Sequence, residues 1–225
     1  MAKQSLSGEI THKTKPHPNA LGRQIWDDTE TIYWKLESGY EWIKPKQMDQ
    51  LIKYAFLESS FETPLVIRKR NRPTADAQIR INWLGKKDDS YFTSPSTLAY
   101  AFGPAGGLGG DVVMNSDNLW LLRNTPLRAD EAKELGYIDN YQFPDNLIKF
   151  YDPLHTMKHE GGGHALGMDH LTDQSLRYIE PMFPFYNGVR KFSQAGLDYL
   201  HQLYGQASGF HKAKEMMLNR ITNFF

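Results

Sequence analysis

The 225-residue sequence contains no cysteine. That excludes disulfide staples, thiolate metal ligands and a cysteine nucleophile, so any metal must be held by histidine and carboxylate side chains. The sequence also lacks an excess of either charge, because 26 basic and 26 acidic side chains cancel. There is thus no electrostatic case for a nucleic-acid partner. No apolar stretch is long enough to span a membrane, and the first 25 residues are polar, with no apolar segment of the kind a signal peptide carries. A membrane partner is not expected. The compartment stays open, and a setting outside the cell or in a virion or other particle is compatible with these absences.

Hydrophobic residues make up 40% of the chain and charged residues 23%, enough apolar material for one domain with a real core. Residues 1–24 are polar and unpatterned, an arm that a partner, an oligomer or a larger assembly would have to order. Thr31 to Glu37 reads as a strand. Pro45 then opens a helix whose Met48, Leu51, Ile52, Ala55 and Phe56 share one face. Pro64 to Arg68 and Ala77 to Trp83 read as strands of one sheet, the second by alternation of Ile79, Ile81 and Trp83. Thr97 to Phe102 and Asp111 to Met114 add two more strands around the Gly-rich loop 103–110. A short helical pattern around Ala129 to Leu135 precedes a helix that follows Asp152-Pro153. Helices over Ser193 to Tyr204 and Lys214 to Ile221 end the chain, the first with Ser193 as its cap.

His155, His159, His164 and His170 lie within sixteen residues, beside Glu160 and the glycines 161–163. A hydrolytic zinc takes about three protein ligands and keeps a place for water, whose proton a nearby carboxylate accepts. His159, His164 and His170 with Glu160 as base supply that set. The segment His164-Ala-Leu-Gly-Met-Asp-His170 fits two ligands separated by a glycine at which a helix ends. The first half fits less simply. At ~100° per residue, His159 and His164, five apart, diverge by ~140° on an ideal helix, whereas an i,i+4 pair diverges by ~40°. The three glycines predict a π-bulge that returns His159 to the metal. Two competitors have regular spacing: Glu160 as a ligand four before His164, and His155 paired with His159. A fourth reading has no metal at all.

Over roughly residues 25–205 these features resemble the matrixin branch of the metzincins, the matrix metalloproteinase catalytic domain. Phe102 to Asp111 is similar to that family's Gly-rich loop, and Leu98 to Phe102 to its substrate-facing edge strand. Glu180-Pro-Met182-Phe-Pro184-Phe-Tyr186 is similar to its Met-turn, and Phe192 to Gly205 to its closing helix. The resemblance implies an α+β, metzincin-like fold: a twisted mixed sheet with a long helix packed on it, a zinc-binding helix, a Met-turn around Met182, and C-terminal helices. It divides the chain into the arm 1–24, a catalytic domain 25–205 and a C-terminal helical extension 206–225. It further implies one catalytic zinc and a protein or peptide substrate contacting Leu98, Ala99, Tyr100, Pro184 and Tyr186. The family's second, structural zinc is expected to be absent, because only Asp88 matches its ligands, beside Lys86, Tyr100 and Val113. Calcium is doubtful, because acidic ligand positions read as Thr93, Asn115 and Asn118, although Asp111 and the loop carbonyls could hold an ion weakly. The expected chemistry is zinc-dependent endopeptidase action with Glu160 as general base. The rival is a non-catalytic matrixin-fold module that keeps a zinc site for assembly or binding.

Overall fold

The computed structural model describes residues 16–71, 76–94, 96–120, 122 and 151–219. The helical pattern expected around Ala129 to Leu135 lies outside these residues. In chain order the elements are β1 (His17–Pro18), β2 (Gln24–Ile25), β3 (Thr31–Leu36), α1 (Pro45–Glu62), β4 (Val66–Lys69), β5 (Ile79–Leu84), β6 (Ala99–Ala101), β7 (Val112–Asn115), α2 (Pro153–Glu160), α3 (Gln194–Tyr204) and α4 (Gly209–Asn219). The chain just ahead of β3 is more ordered than its composition predicts, since β1 and β2 pair as a small antiparallel ladder.

Five strands form one mixed sheet in the order β4-β3-β5-β7-β6. The first four run parallel, and β6 is added antiparallel to β7 at the edge. Parallel neighbours need a crossover, and α1 supplies it between β3 and β4. Strand identity follows from alternation. In β5, Ile79, Ile81 and Trp83 are buried while their neighbours are half-exposed, and in β3 Ile32 and Trp34 are buried. Helix α1 starts where Pro45, lacking an N–H, costs nothing, and Gln47 accepts a hydrogen bond from the Lys44 N–H. Its buried face, Met48, Leu51, Ile52, Ala55 and Phe56, is the one the sequence predicts. No helix among the described residues is long and apolar enough to cross a membrane.

Helix α2 begins at a cap that the sequence marks only by Asp152-Pro153: the Asp152 carboxylate accepts from the Leu154 N–H at 3.0 Å. It packs across α1, where its Lys158, 2% exposed, pairs with Glu58 at 3.0 Å and lies over the Phe192 ring. Glu180 joins the C-terminal part to this layer. Its buried carboxylate accepts from the Met182 N–H at 2.9 Å and from the Ser193 N–H and hydroxyl at 2.9 and 2.6 Å. One side chain thus fixes both the turn carrying Met182 and the start of α3. Sequence reading placed Glu180 in a motif without giving it a role.

Because Ile81 is fully buried on the strand between β3 and β7, Ile81→Ala should lower the unfolding free energy by ~2–5 kcal/mol. The exposed Lys87→Ala should change it by no more than about 0.5 kcal/mol. Urea titration checks both, and a loss below about 1 kcal/mol at Ile81 would contradict its central placement.

Candidate metal centre

The extra residue between His159 and His164 is absorbed by ending one helix and starting another. Helix α2 stops at Glu160, and the Gly161 and Gly162 N–H groups both bond to the Met157 carbonyl, at 2.8 and 3.2 Å. The second of these bonds reaches five residues back, the π-type step expected from the spacing. The chain then tightens into a 3-10 turn over His164–Leu166 and does not resume the α-helix, so the bulge interrupts the helix. Gly167, at φ +91°, closes that turn, with its own N–H bonded to the His164 carbonyl and the Met168 N–H bonded to the Gly163 carbonyl. A left-handed glycine there reverses the chain and brings His170 back.

The glycines also make room for other elements. A β-carbon on Gly162 would lie 2.7 Å from the Ala55 carbonyl oxygen of α1. One on Gly163 would overlap the Met182 sulfur and lie 2.6 Å from the His159 carbonyl oxygen. Met182, fully buried, therefore sits directly against the turn between the two histidines.

As a result the Nε2 atoms of His159, His164 and His170 stand 3.1, 3.1 and 3.2 Å apart. Three nitrogens of a tetrahedral zinc at ~2.0–2.1 Å would stand about 3.3 Å apart. His159 Nδ1 faces the Pro181 carbonyl at 2.6 Å and His164 Nδ1 the Met168 carbonyl at 2.7 Å. A carbonyl can only accept, so these Nδ1 atoms carry the protons and both Nε2 atoms are lone pairs. Lone pairs converging at this distance repel unless a cation lies between them, so the donor set fits a metal ion. Burial lowers the pKa of all three rings, that of His159 to about 3 with His164 as the next cause. The rings are therefore neutral, as ligands must be.

Among the described residues this is the group of metal-ligating side chains brought together, and neither Glu160 nor His155 belongs to it. Glu160 is buried beside the cluster, one of its carboxylate oxygens, Oε2, has no partner, and burial pushes its pKa up to about 8. A dication nearby would draw it back toward the ionised form. His155 turns its Nδ1 to the Val189 carbonyl at 2.6 Å and packs edge-on against Tyr186. The loop carrying His170 is held from the amino-terminal side, where Arg23 Nη1 meets the neighbouring Asp169 carboxylate at 2.6 Å.

A cleft of about 820 Å³ opens over the cluster. The edge strand forms one wall through Leu98, Ala99 and Tyr100; Pro184 and Tyr186 form the opposite one, so all five expected contact residues line it. The ladder at this edge extends past β6 itself, with Asn115 N–H bonded to the Leu98 carbonyl and Phe102 N–H to the Asp111 carbonyl, both at 2.9 Å. Tyr151, His155 and Thr156 also line the cleft. Sequence reading missed Tyr151 and Thr156 and took His155 only as a rival ligand. The available signal was position, since 155 and 156 precede 159 and 160 by about one helical turn.

Arg80, on β5, engages the acidic residue at the end of the Gly-rich loop. Its guanidinium grips the Asp111 carboxylate through two bonds of 2.8 and 2.7 Å and the Gly107 carbonyl at 3.1 Å. The side chains expected to bind an ion weakly are thus engaged by an internal cation.

The sequence profile of the family described as Matrixin matches residues 25–205. Interstitial collagenase of Bos taurus is 30% identical over 186 residues, 82% of this chain and 34% of the relative. Matrilysin of Homo sapiens is 34% identical over 171 residues, 73% of this chain and 53% of the relative. Neutrophil collagenase of Homo sapiens is 25% identical over 193 residues, 83% of this chain and 35% of the relative. The chain thus spans about a third of the length of the collagenases it matches.

Gly163→Ala should reduce bound zinc below one per chain, because its methyl cannot coexist with Met182 and the His159 carbonyl. Gly106→Ala, with nothing within 4 Å of the added carbon, should leave zinc stoichiometry unchanged. Atomic absorption on the purified variants compares them, and full zinc retention by Gly163→Ala would refute the packing argument. Millimolar calcium should not raise the Tm of the wild type, since Arg80 already holds Asp111; a calcium-dependent rise of several degrees would show that the loop binds the ion after all.

Proposed function

This chain belongs to the matrixin family of zinc metalloendopeptidases, and we propose that it is itself a zinc-dependent endopeptidase with His159, His164 and His170 as the metal ligands. The observation that carries the reading is the convergence of three imidazole nitrogens, 3.1–3.2 Å apart, beside a buried carboxylate oxygen that has no partner. Bound zinc would supply a Lewis acid that polarises the scissile carbonyl and acidifies water. The Nδ1–H groups of His159 and His164, donated to the Pro181 and Met168 carbonyls, keep the ligating nitrogens unprotonated and the rings oriented.

Glu160 acts as the general base. It accepts the proton of the attacking water at its carboxylate and returns it to the nitrogen of the departing amine. Glu160 is 6% exposed, so this transfer takes place at low dielectric. An extended protein or peptide substrate adds to the free edge of β6 through main-chain hydrogen bonds, along Leu98, Ala99 and Tyr100. One of its side chains enters between Pro184 and Tyr186. Met182 belongs to a Met-turn that supports the ligand turn at Gly163 from below.

Glu160→Gln should keep one zinc per chain and lower kcat/KM on a peptide library by about 10²–10⁴-fold. His164→Ala should lose the zinc. Unchanged cleavage by a zinc-loaded Glu160→Gln would remove Glu160 as base. Full zinc occupancy with no cleavage of any library member by the wild type would favour the non-catalytic binding module.

A further inference from the structure

Helix α2 presents four side chains to the cleft in two adjacent rows, His155 with His159 and Thr156 with Glu160. His159 and Glu160 carry the proposed metal and base roles. His155 and Thr156 stand one turn earlier and bring polar atoms to this end of the helix. Thr156 is 4% exposed, lines the cleft, and its Oγ1 has no hydrogen-bond partner. The Val189 carbonyl takes the His155 Nδ1–H at 2.6 Å, which leaves Nε2 as a lone pair. Tyr186 is held in place as the facing wall, its hydroxyl accepting from the Asp152 N–H at 2.8 Å and its ring edge-on to His155 and Tyr151, at 4.7 and 5.1 Å. The end of this pocket is therefore rigid, aromatic at the sides, and offers the His155 Nε2 as an acceptor.

Resting on the endopeptidase reading, we propose that the His155 and Thr156 end of the cleft selects a substrate side chain that is neutral and carries a hydrogen-bond donor at its tip, glutamine or tyrosine, over leucine or isoleucine. An aliphatic tip would strip water from the His155 lone pair and return nothing, whereas a donor replaces that water. Reach agrees with this choice. His155 lies about 6 Å down the helix axis from His159, within range of glutamine or tyrosine and beyond serine. Charge agrees as well: Glu160 is the one carboxylate among the described lining residues, so an ammonium tip meets no counter-ion at the far end.

The test uses the zinc-loaded full chain and two peptide hydroxamates that differ only in the side chain next to the metal-binding group, glutamine or leucine. The hydroxamate anchors that side chain in the pocket, and calorimetry reads Kd without any cleavage. The glutamine compound should bind at least about fivefold more tightly. His155→Phe, which keeps the ring shape without the lone pair, should erase most of that ratio, and His155→Gln, which keeps an acceptor, should retain most of it. A merely structural role for His155 would weaken both compounds equally and leave the ratio alone. Tighter binding of the leucine compound by the wild type overturns this inference and leaves the metal reading intact. Failure of either compound to bind a chain that holds zinc overturns it also. A chain that holds no zinc sinks the endopeptidase reading and this inference together.

Discussion

Two histidines five residues apart cannot share one face of a regular helix, and much of this molecule is arranged around bringing them to a common point. The resolution is local in chain terms, a π-type step at Gly162, a 3-10 turn and a left-handed Gly167. It is not local in packing terms. The turn is sandwiched between the Ala55 carbonyl of α1 on one side and the Met182 sulfur on the other, and it fits only because neither Gly162 nor Gly163 has a side chain. The geometry of the three nitrogens therefore depends on how α1, α2 and the 180–186 turn sit together. Glu180 adds to that dependence by tying the turn to α3.

Much of the fold was legible in the sequence because periodicity reports burial directly. The alternation of Ile79, Ile81 and Trp83 places a strand, and the spacing of Met48 through Phe56 places a helix face; both features are set by neighbours a few residues away. The histidine cluster was legible for a different reason, since zinc chemistry needs particular side chains at short separations. What the sequence concealed depends on partners distant along the chain. Asp111 looked available to an ion until Arg80, thirty-one residues earlier, closed on it. His155 looked like a rival ligand until the fold packed its ring edge-on against Tyr186, thirty-one residues later, outside the three nitrogens that converge. The glycines were legible as permission to bulge, but their contacts with Ala55 and Met182 require the fold.

The cleft combines two kinds of rigidity. Its edge-strand wall is backbone, able to accept many sequences because main-chain groups are common to all peptides. Its opposite wall is made of side chains pinned by hydrogen bonds: Tyr186 by the Asp152 backbone N–H, His155 by the Val189 carbonyl, and Asp152 by the Arg190 side chain. For a peptide bound as proposed, generality and discrimination would fall to different walls, one read through hydrogen bonds every peptide can make and the other through the chemistry of a single side chain.

The Lys158–Glu58 contact has a consequence for alternative packings of the same sequence. A buried ion pair adds little net stability, because desolvation offsets most of the attraction, but breaking one leaves a charge stranded in the interior. If α2 slid along α1 or rotated by one residue, Lys158, 2% exposed in the observed arrangement, would lose Glu58, and the nearby buried Glu180 is already engaged by Met182 and Ser193. Misregistered helix pairings are thereby penalised far more than the correct one is rewarded. The orientation that aims His155, Thr156, His159 and Glu160 into the cleft is selected largely by the cost of its competitors.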